Sequence, residues 1–101
     1  MTGMHFAVLR ATGPAWDPAL PIEGQPEWPA HAAFMNALAD DGFIVLGGPV
    51  ADRTRFLFLV SADGEDEIRE RLAADPWVPL ELLEIASIDP WEVLLGQVPH
   101  D

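Results

Sequence analysis

Apolar and polar positions alternate with a period of two over residues 4–10 (MHFAVLR), setting Met4, Phe6 and Val8 against His5, Ala7 and Leu9. That alternation predicts a first strand. Residues 11–29 break the pattern with Pro14, Pro18, Pro21, Pro26 and Pro29, two glycines and two tryptophans. Proline fixes φ and removes a donor, so this stretch reads as an irregular loop. A loop this long in so small a chain tends to be functional or to cover something. Trp16, Leu20 and Ile22 give it apolar anchors, which suggests a packed flap, a candidate lid, over one end of a sheet.

Helical spacing follows. His31, Phe34, Met35 and Leu38 share one stripe, which predicts a helix over residues 30–40 with Pro29 in its first turn. Gly42 is placed to close it in a left-handed conformation. Residues 43–46 (FIVL) are apolar in both directions and predict a second strand, ended by Gly47-Gly48-Pro49. After a turn at 51–54, residues 55–61 (RFLFLVS) predict a third. Asp63 is a candidate N-cap for a helix over 65–74, whose acids cluster early and whose Arg69 and Arg71 come late, as the helix dipole favours. Ile68 and Leu72 give that helix a narrow inward stripe. Residues 82–88 predict a fourth strand ended by Asp89-Pro90, and 91–95 read as a short terminal turn.

The order β-α-β-β-α-β is the split βαβ, or ferredoxin-like, arrangement. It predicts an α+β domain with a four-stranded antiparallel sheet and both helices on one face. The uncovered face of such a sheet should be polar at alternate positions. Residues 43–46 and 56–60 are not. Leaving each such side chain in water forgoes roughly 1.5–3 kcal/mol. The expected cover is the same face of a second copy, giving a two-fold homodimer packed sheet to sheet.

Length and charge narrow the function. The 101 residues make one domain, 1–101, and half of them are hydrophobic, too many for a disordered chain. No apolar run approaches about 18 residues, no signal peptide opens the chain, and there is no Cys. The reading is a soluble, cytoplasmic protein. The net charge of −12 rests on seventeen acids against five arginines (Arg10, Arg53, Arg55, Arg69, Arg71), with no lysine. Nucleic acids and anionic membranes need clustered cations, so neither is expected as a partner.

Chemistry converges on few residues. His31 is a titratable ring on an inward stripe, near a helix end where pockets open, and an unperturbed imidazole exchanges a proton near neutrality. Its alternative role is inert packing. Asp75 extends the Ile68–Leu72 stripe by one turn and so points toward the sheet, where a carboxylate is costly unless paired. Pairing with His31 would fix the imidazole tautomer; otherwise Asp75-Pro76 is a turn dipeptide. Gly47-Gly48-Pro49 is either a bulge or bare backbone that a ligand approaches closely, with Gly48 and Pro49 the candidate contacts. Trp28 and Trp77 flank His31 and Asp75 in sequence and are candidate pocket walls. Arg10, Arg53 and Arg55 are expected at strand ends facing solvent, with Arg10 the candidate for holding an anionic or polarised substrate group. His5, His31 and His100 lack metal-ligand spacing, and Ser61 and Ser87 lack a GxSxG context. Neither a metal nor a cofactor is expected.

His31 in WPAHAAFMNAL, the run from Gly42-Phe43 to Gly47-Gly48-Pro49, and Ala74-Asp75-Pro76-Trp77 together resemble the YciI-like (YCII-related) family over residues 4–95. The resemblance implies a dimeric α+β barrel of ferredoxin-like subunits, similar in fold to muconolactone isomerases. It also implies a His–Asp pair of proposed catalytic role, falling on His31 and Asp75. One branch of that family is a dehydrochlorinase acting on a chlorinated hydroxyquinol. The loop over 11–29 is longer than in the shortest members.

The leading expectation is a cofactor-independent enzyme acting on a small cyclic or enolisable molecule. His31 would be its general acid/base, oriented by Asp75, in isomerisation, elimination or dehydrochlorination. The alternatives are a small-ligand sensor or accessory module, and a purely structural His–Asp pair that fixes helix packing.

Overall fold

The computed structural model describes residues 4–96. Its elements run β1 (Met4–Thr12), a single 3-10 turn (Ile22–Gly24), α1 (Trp28–Asp40), β2 (Ile44–Val50), β3 (Arg55–Ala62), α2 (Glu65–Ala73) and β4 (Leu83–Pro90). The strands form one sheet in the order β2-β3-β1-β4, with every neighbouring pair antiparallel. This is the ferredoxin-like α+β arrangement. No helix among the described residues is long and apolar enough to cross a membrane.

Phe6 and Val8 of β1 face the helices, paired with Val60 and Phe58 of β3. Together with Leu38 of α1 and Ile68 and Leu72 of α2 they form the main core. A second cluster of Phe56, Trp77, Leu82 and Leu83 lies toward the other end, flanked by Trp16 and Trp28. The opposite sheet face carries Ala7, Leu9, Leu57 and Leu59, with Leu46 more than half exposed at its edge.

Several boundaries differ from expectation for identifiable reasons. α1 starts two residues early, at Trp28, with Pro29 in its first turn and Glu27 in the left-handed region at φ 59°. Asp63 does not cap α2. Gly64 holds the N-cap position without a side-chain cap, and the Asp63 amide donates instead to the Glu67 carboxylate at 2.8 Å. β2 does not stop at Leu46 but runs through Gly47-Gly48-Pro49, which an edge strand tolerates because one side of it makes no ladder. A register shift between Ile44 and Leu46 marks its irregularity. Residues 91–95 form no helical turn; the Trp91 amide donates to the His5 carbonyl at 2.9 Å, extending the sheet edge.

The two glycines of β2 have different duties. A Cβ on Gly47 would run into the Phe58 ring, whereas one on Gly48 would enter open space. Gly47→Ala is therefore expected to cost about 1–3 kcal/mol by overpacking. Gly48→Ala should change stability by less than about 0.5 kcal/mol. Equal shifts in Tm for the two would contradict this register.

The proline-rich segment is tied down around one side chain. Gln25 is buried; its amide nitrogen donates to the carbonyls of Asp17 and Leu20, and its oxygen accepts from the Asp17 amide. Gly13 and Ala15 donate to the Leu82 and Glu81 carbonyls, fastening the start of the segment to the approach to β4. Its Trp16 packs edge-on against Trp77, with centroids 5.6 Å apart. The loop thus covers the aromatic residue nearest the candidate site.

Candidate functional site

His31 sits in the first turns of α1, where its amide donates to the Glu27 carbonyl. The inward stripe read from the sequence carries its ring toward the sheet, and the residue is 6% exposed. Asp75 lies just past the end of α2. The ADPW sequence folds there as an Asx-type turn: the Asp75 carboxylate accepts from the Trp77 amide at 2.9 Å, and the Asp75 amide donates to the Leu72 carbonyl. That turn fixes the carboxylate facing α1. Both Asp75 oxygens lie 2.9 Å from His31 Nδ1.

The same turn positions Trp77. Its ring stacks on the imidazole almost parallel, at 3.8 Å between centroids and 4° between planes. The Trp77 indole N–H donates to the Pro26 carbonyl, so the loop holds the ring that holds His31. Trp28 completes an aromatic wall, its centroid 5.9 Å from both His31 and Trp77.

Arg10 overturns the expectation of a solvent-facing strand end. β1 continues to Thr12, and Arg10 follows Phe6 and Val8 on the inward face, where it is fully buried. Its Nη1 donates to Asp75 Oδ2 at 3.0 Å. The site is therefore a buried triad, Arg10–Asp75–His31, rather than a pair. The signal was present in the sequence, since period-two parity alone puts Arg10 with Phe6 and Val8. Arg53 and Arg55 are exposed, as expected.

Burial alone would raise the Asp75 carboxyl. The hydrogen bonds from His31 and the Trp77 amide, with the Arg10 charge, outweigh it and hold Asp75 below the usual carboxylate range. The Arg10 guanidinium is also held below its ordinary value: burial lowers it, and Asp75 offsets only part of that. An ionised carboxylate can only accept, so His31 Nδ1 must carry the hydrogen. The free lone pair of a neutral His31 is then on Nε2. No side chain among the described residues engages Nε2, and it is not among the buried atoms sealed from solvent. The His31 side chain is 7% exposed.

Of the other candidates, Trp28 and Trp77 are gathered here, and Gly48 and Pro49 are not. Gly48 and Pro49 lie on the edge strand β2, separated from β1 by β3, and Gly48 pairs with Leu57 on the sheet face opposite the helices. Trp77 is fully buried, so it backs the imidazole and presents no open wall. His5 is half-buried at the start of β1, and His100 lies outside the described residues.

A scan against models of protein families and a search of curated proteins both return no match. Among solved structures, the chain is similar to 5-chloro-2-hydroxyhydroquinone dehydrochlorinase from Burkholderia phenoliruptrix AC1100, solved in complex with 2,5-dihydroxybenzoquinone. The match has a TM-score of 0.65 and 23% identity, and covers 88% of this chain and 94% of that one. The shared fold is the ferredoxin-like α+β arrangement of the sheet and its two helices. At this identity the likeness carries the fold and no more.

Proposed function

We propose that this protein is a YciI-like, cofactor-independent acid/base enzyme acting on a small cyclic or enolisable organic molecule. The observation that carries the reading is the His31–Asp75 contact at 2.9 Å, which commits Nδ1 and leaves Nε2 free. Asp75 orients the ring and stabilises the imidazolium that forms when Nε2 takes a proton. In an isomerisation, Nε2 removes a proton from carbon next to a carbonyl, the bonding pair moves to the carbonyl oxygen, and the proton returns at another carbon. In an elimination, the same pair forms a double bond as the carbon–halogen bond breaks and the halide leaves with that bonding pair, and the proton passes to solvent. The second reaction matches the dehydrochlorinase named for the structural neighbour. Chloride release from chlorinated hydroxyquinols, followed with an ion-selective electrode, tests it. Release by the native chain and none by His31→Gln is the expected result. Equal release by both would refute the assignment.

The functional unit in this reading is a homodimer joined through the open sheet face. Support comes from Leu46, Leu57, Leu9 and Ala7, which form one apolar surface on the side away from the helices. Sedimentation equilibrium should give twice the chain mass, and Leu46→Arg should shift it toward the monomer by placing a charge in the seam. A native monomer at micromolar concentration would sink the proposal.

A further inference from the structure

Asp75 engages a single nitrogen of Arg10. Nη1 donates to Asp75 and lies 3.7 Å from the Met35 sulfur. Nε and Nη2 are buried and meet no acceptor among the described residues. Fully buried polar groups are nearly always partnered, so two idle donors on one guanidinium call for an explanation. Nε–H and Nη2–H lie along one edge of the planar group, the spacing that the two oxygens of a carboxylate match.

Arg10 also contributes to the wall of a cavity of about 500 Å³ between α2 and β4. Leu72, Val78, Leu83 and Ile85 make its lining largely apolar, and neither His31 nor Asp75 takes part in it. Glu81, Glu84 and Arg69 stand exposed among its lining residues, the Arg69 charge being paired with Glu65 at 2.8 Å, in a chain of net charge −12. A phosphate or other multiply charged anion meets that field at full strength. A single negative charge on an apolar body meets it least and gains from burial.

We propose that this cavity binds a small monocarboxylate with a compact apolar body, its two oxygens bridging Arg10 Nε and Nη2. The body rests on Leu72, Leu83 and Ile85. The donors are closed to solvent, so the carboxylate reaches them by displacing side chains of the lining. Arg10 then holds a carboxylate on each of two edges, Asp75 on one and the ligand on the other. The site is separate from His31 Nε2 and stands whether or not His31 is catalytic.

Benzoate is the probe, added to the full chain and followed by the NMR signal of the Arg10 Nε–H and by melting temperature. Saturable binding at millimolar benzoate or below is expected, with a shift of that signal and a rise in Tm. Benzamide has the same shape without the charge and should bind about tenfold or more weakly. Inorganic phosphate should not bind there. Ala73→Trp, an exposed position on the cavity wall, should keep the fold and abolish benzoate binding. His31→Gln should bind benzoate like the native chain, separating this site from the catalytic reading. Failure to saturate, or binding that survives Ala73→Trp, overturns the site; equal affinity for benzamide overturns the role given to Arg10.

Discussion

Asp75→Asn should be the most damaging single substitution in the chain, costing about 3–5 kcal/mol, the usual penalty for removing one partner of a buried ion pair. The size of the side chain hardly changes, so packing is not the cause. Arg10 is fully buried and Asp75 is its only counter-ion among the described residues. The amide that replaces the carboxylate can still accept from His31 or from Arg10, but it brings an N–H₂ group that faces donors. Domains of this kind are stable by only about 5–15 kcal/mol, so the loss is a large share of the total. A drop in Tm of roughly 12 °C or more follows. The effect should also depend on pH in a defined direction. The Asp75 carboxyl is held below its ordinary value in the folded chain. Its contribution is therefore complete above about pH 4, near the unfolded value, and is lost as pH falls through the lower folded value. Native and Asp75→Asn stabilities, measured by urea unfolding, should converge below about pH 4. A gap that persists unchanged into acid, or one under about 1 kcal/mol at neutral pH, would contradict the buried-triad account.

His31→Gln is expected to leave the fold largely intact while lowering turnover by about 10²–10⁴-fold, the range that a positioned general base supplies. Gln retains a donor for Asp75, so the carboxylate is not left bare. It has no nitrogen that can take up a proton near neutrality. The separation of stability from activity is what distinguishes a catalytic His31 from a structural one. Arg10 alters how the structural alternative must be tested. Replacing His31 and Asp75 together by apolar residues would strand the buried Arg10 guanidinium, and the variant would fail for that reason alone. A triple replacement that includes Arg10 removes every charge. If the triad only fixes packing, that variant should match or exceed native stability and lose nothing else.

Much of this arrangement was legible in the sequence because periodicity reports which way side chains point. The stripe through His31, Phe34, Met35 and Leu38 and the one through Ile68 and Leu72 place His31 and Asp75 on the same layer, and the structure brings them into contact. Parity along β1 also puts Arg10 inside, but a cation close to an expected strand end reads as exposed unless its partner is known. That partner comes from a turn sixty-five residues away, a long-range pairing that local pattern does not encode. The Trp77 stack on His31 depends on the same turn, through the Trp77 amide bound to Asp75. Gln25 gives no such signal, because a polar residue in a proline-rich loop carries no periodicity at all. Its three hydrogen bonds with the segment 17–20 are what give the loop a fixed path.

In the proposed reaction His31 Nε2 moves a proton to and from carbon. Deuterium incorporation from D₂O into a panel of cyclic, enolisable ketones, followed by proton NMR, reads that step without knowledge of the natural substrate. The native chain should accelerate exchange at the carbon next to the carbonyl for at least one member of the panel, and folded His31→Gln should return the rate to background. Exchange that is unaffected by His31→Gln, or absent across a panel that demonstrably binds, would contradict it.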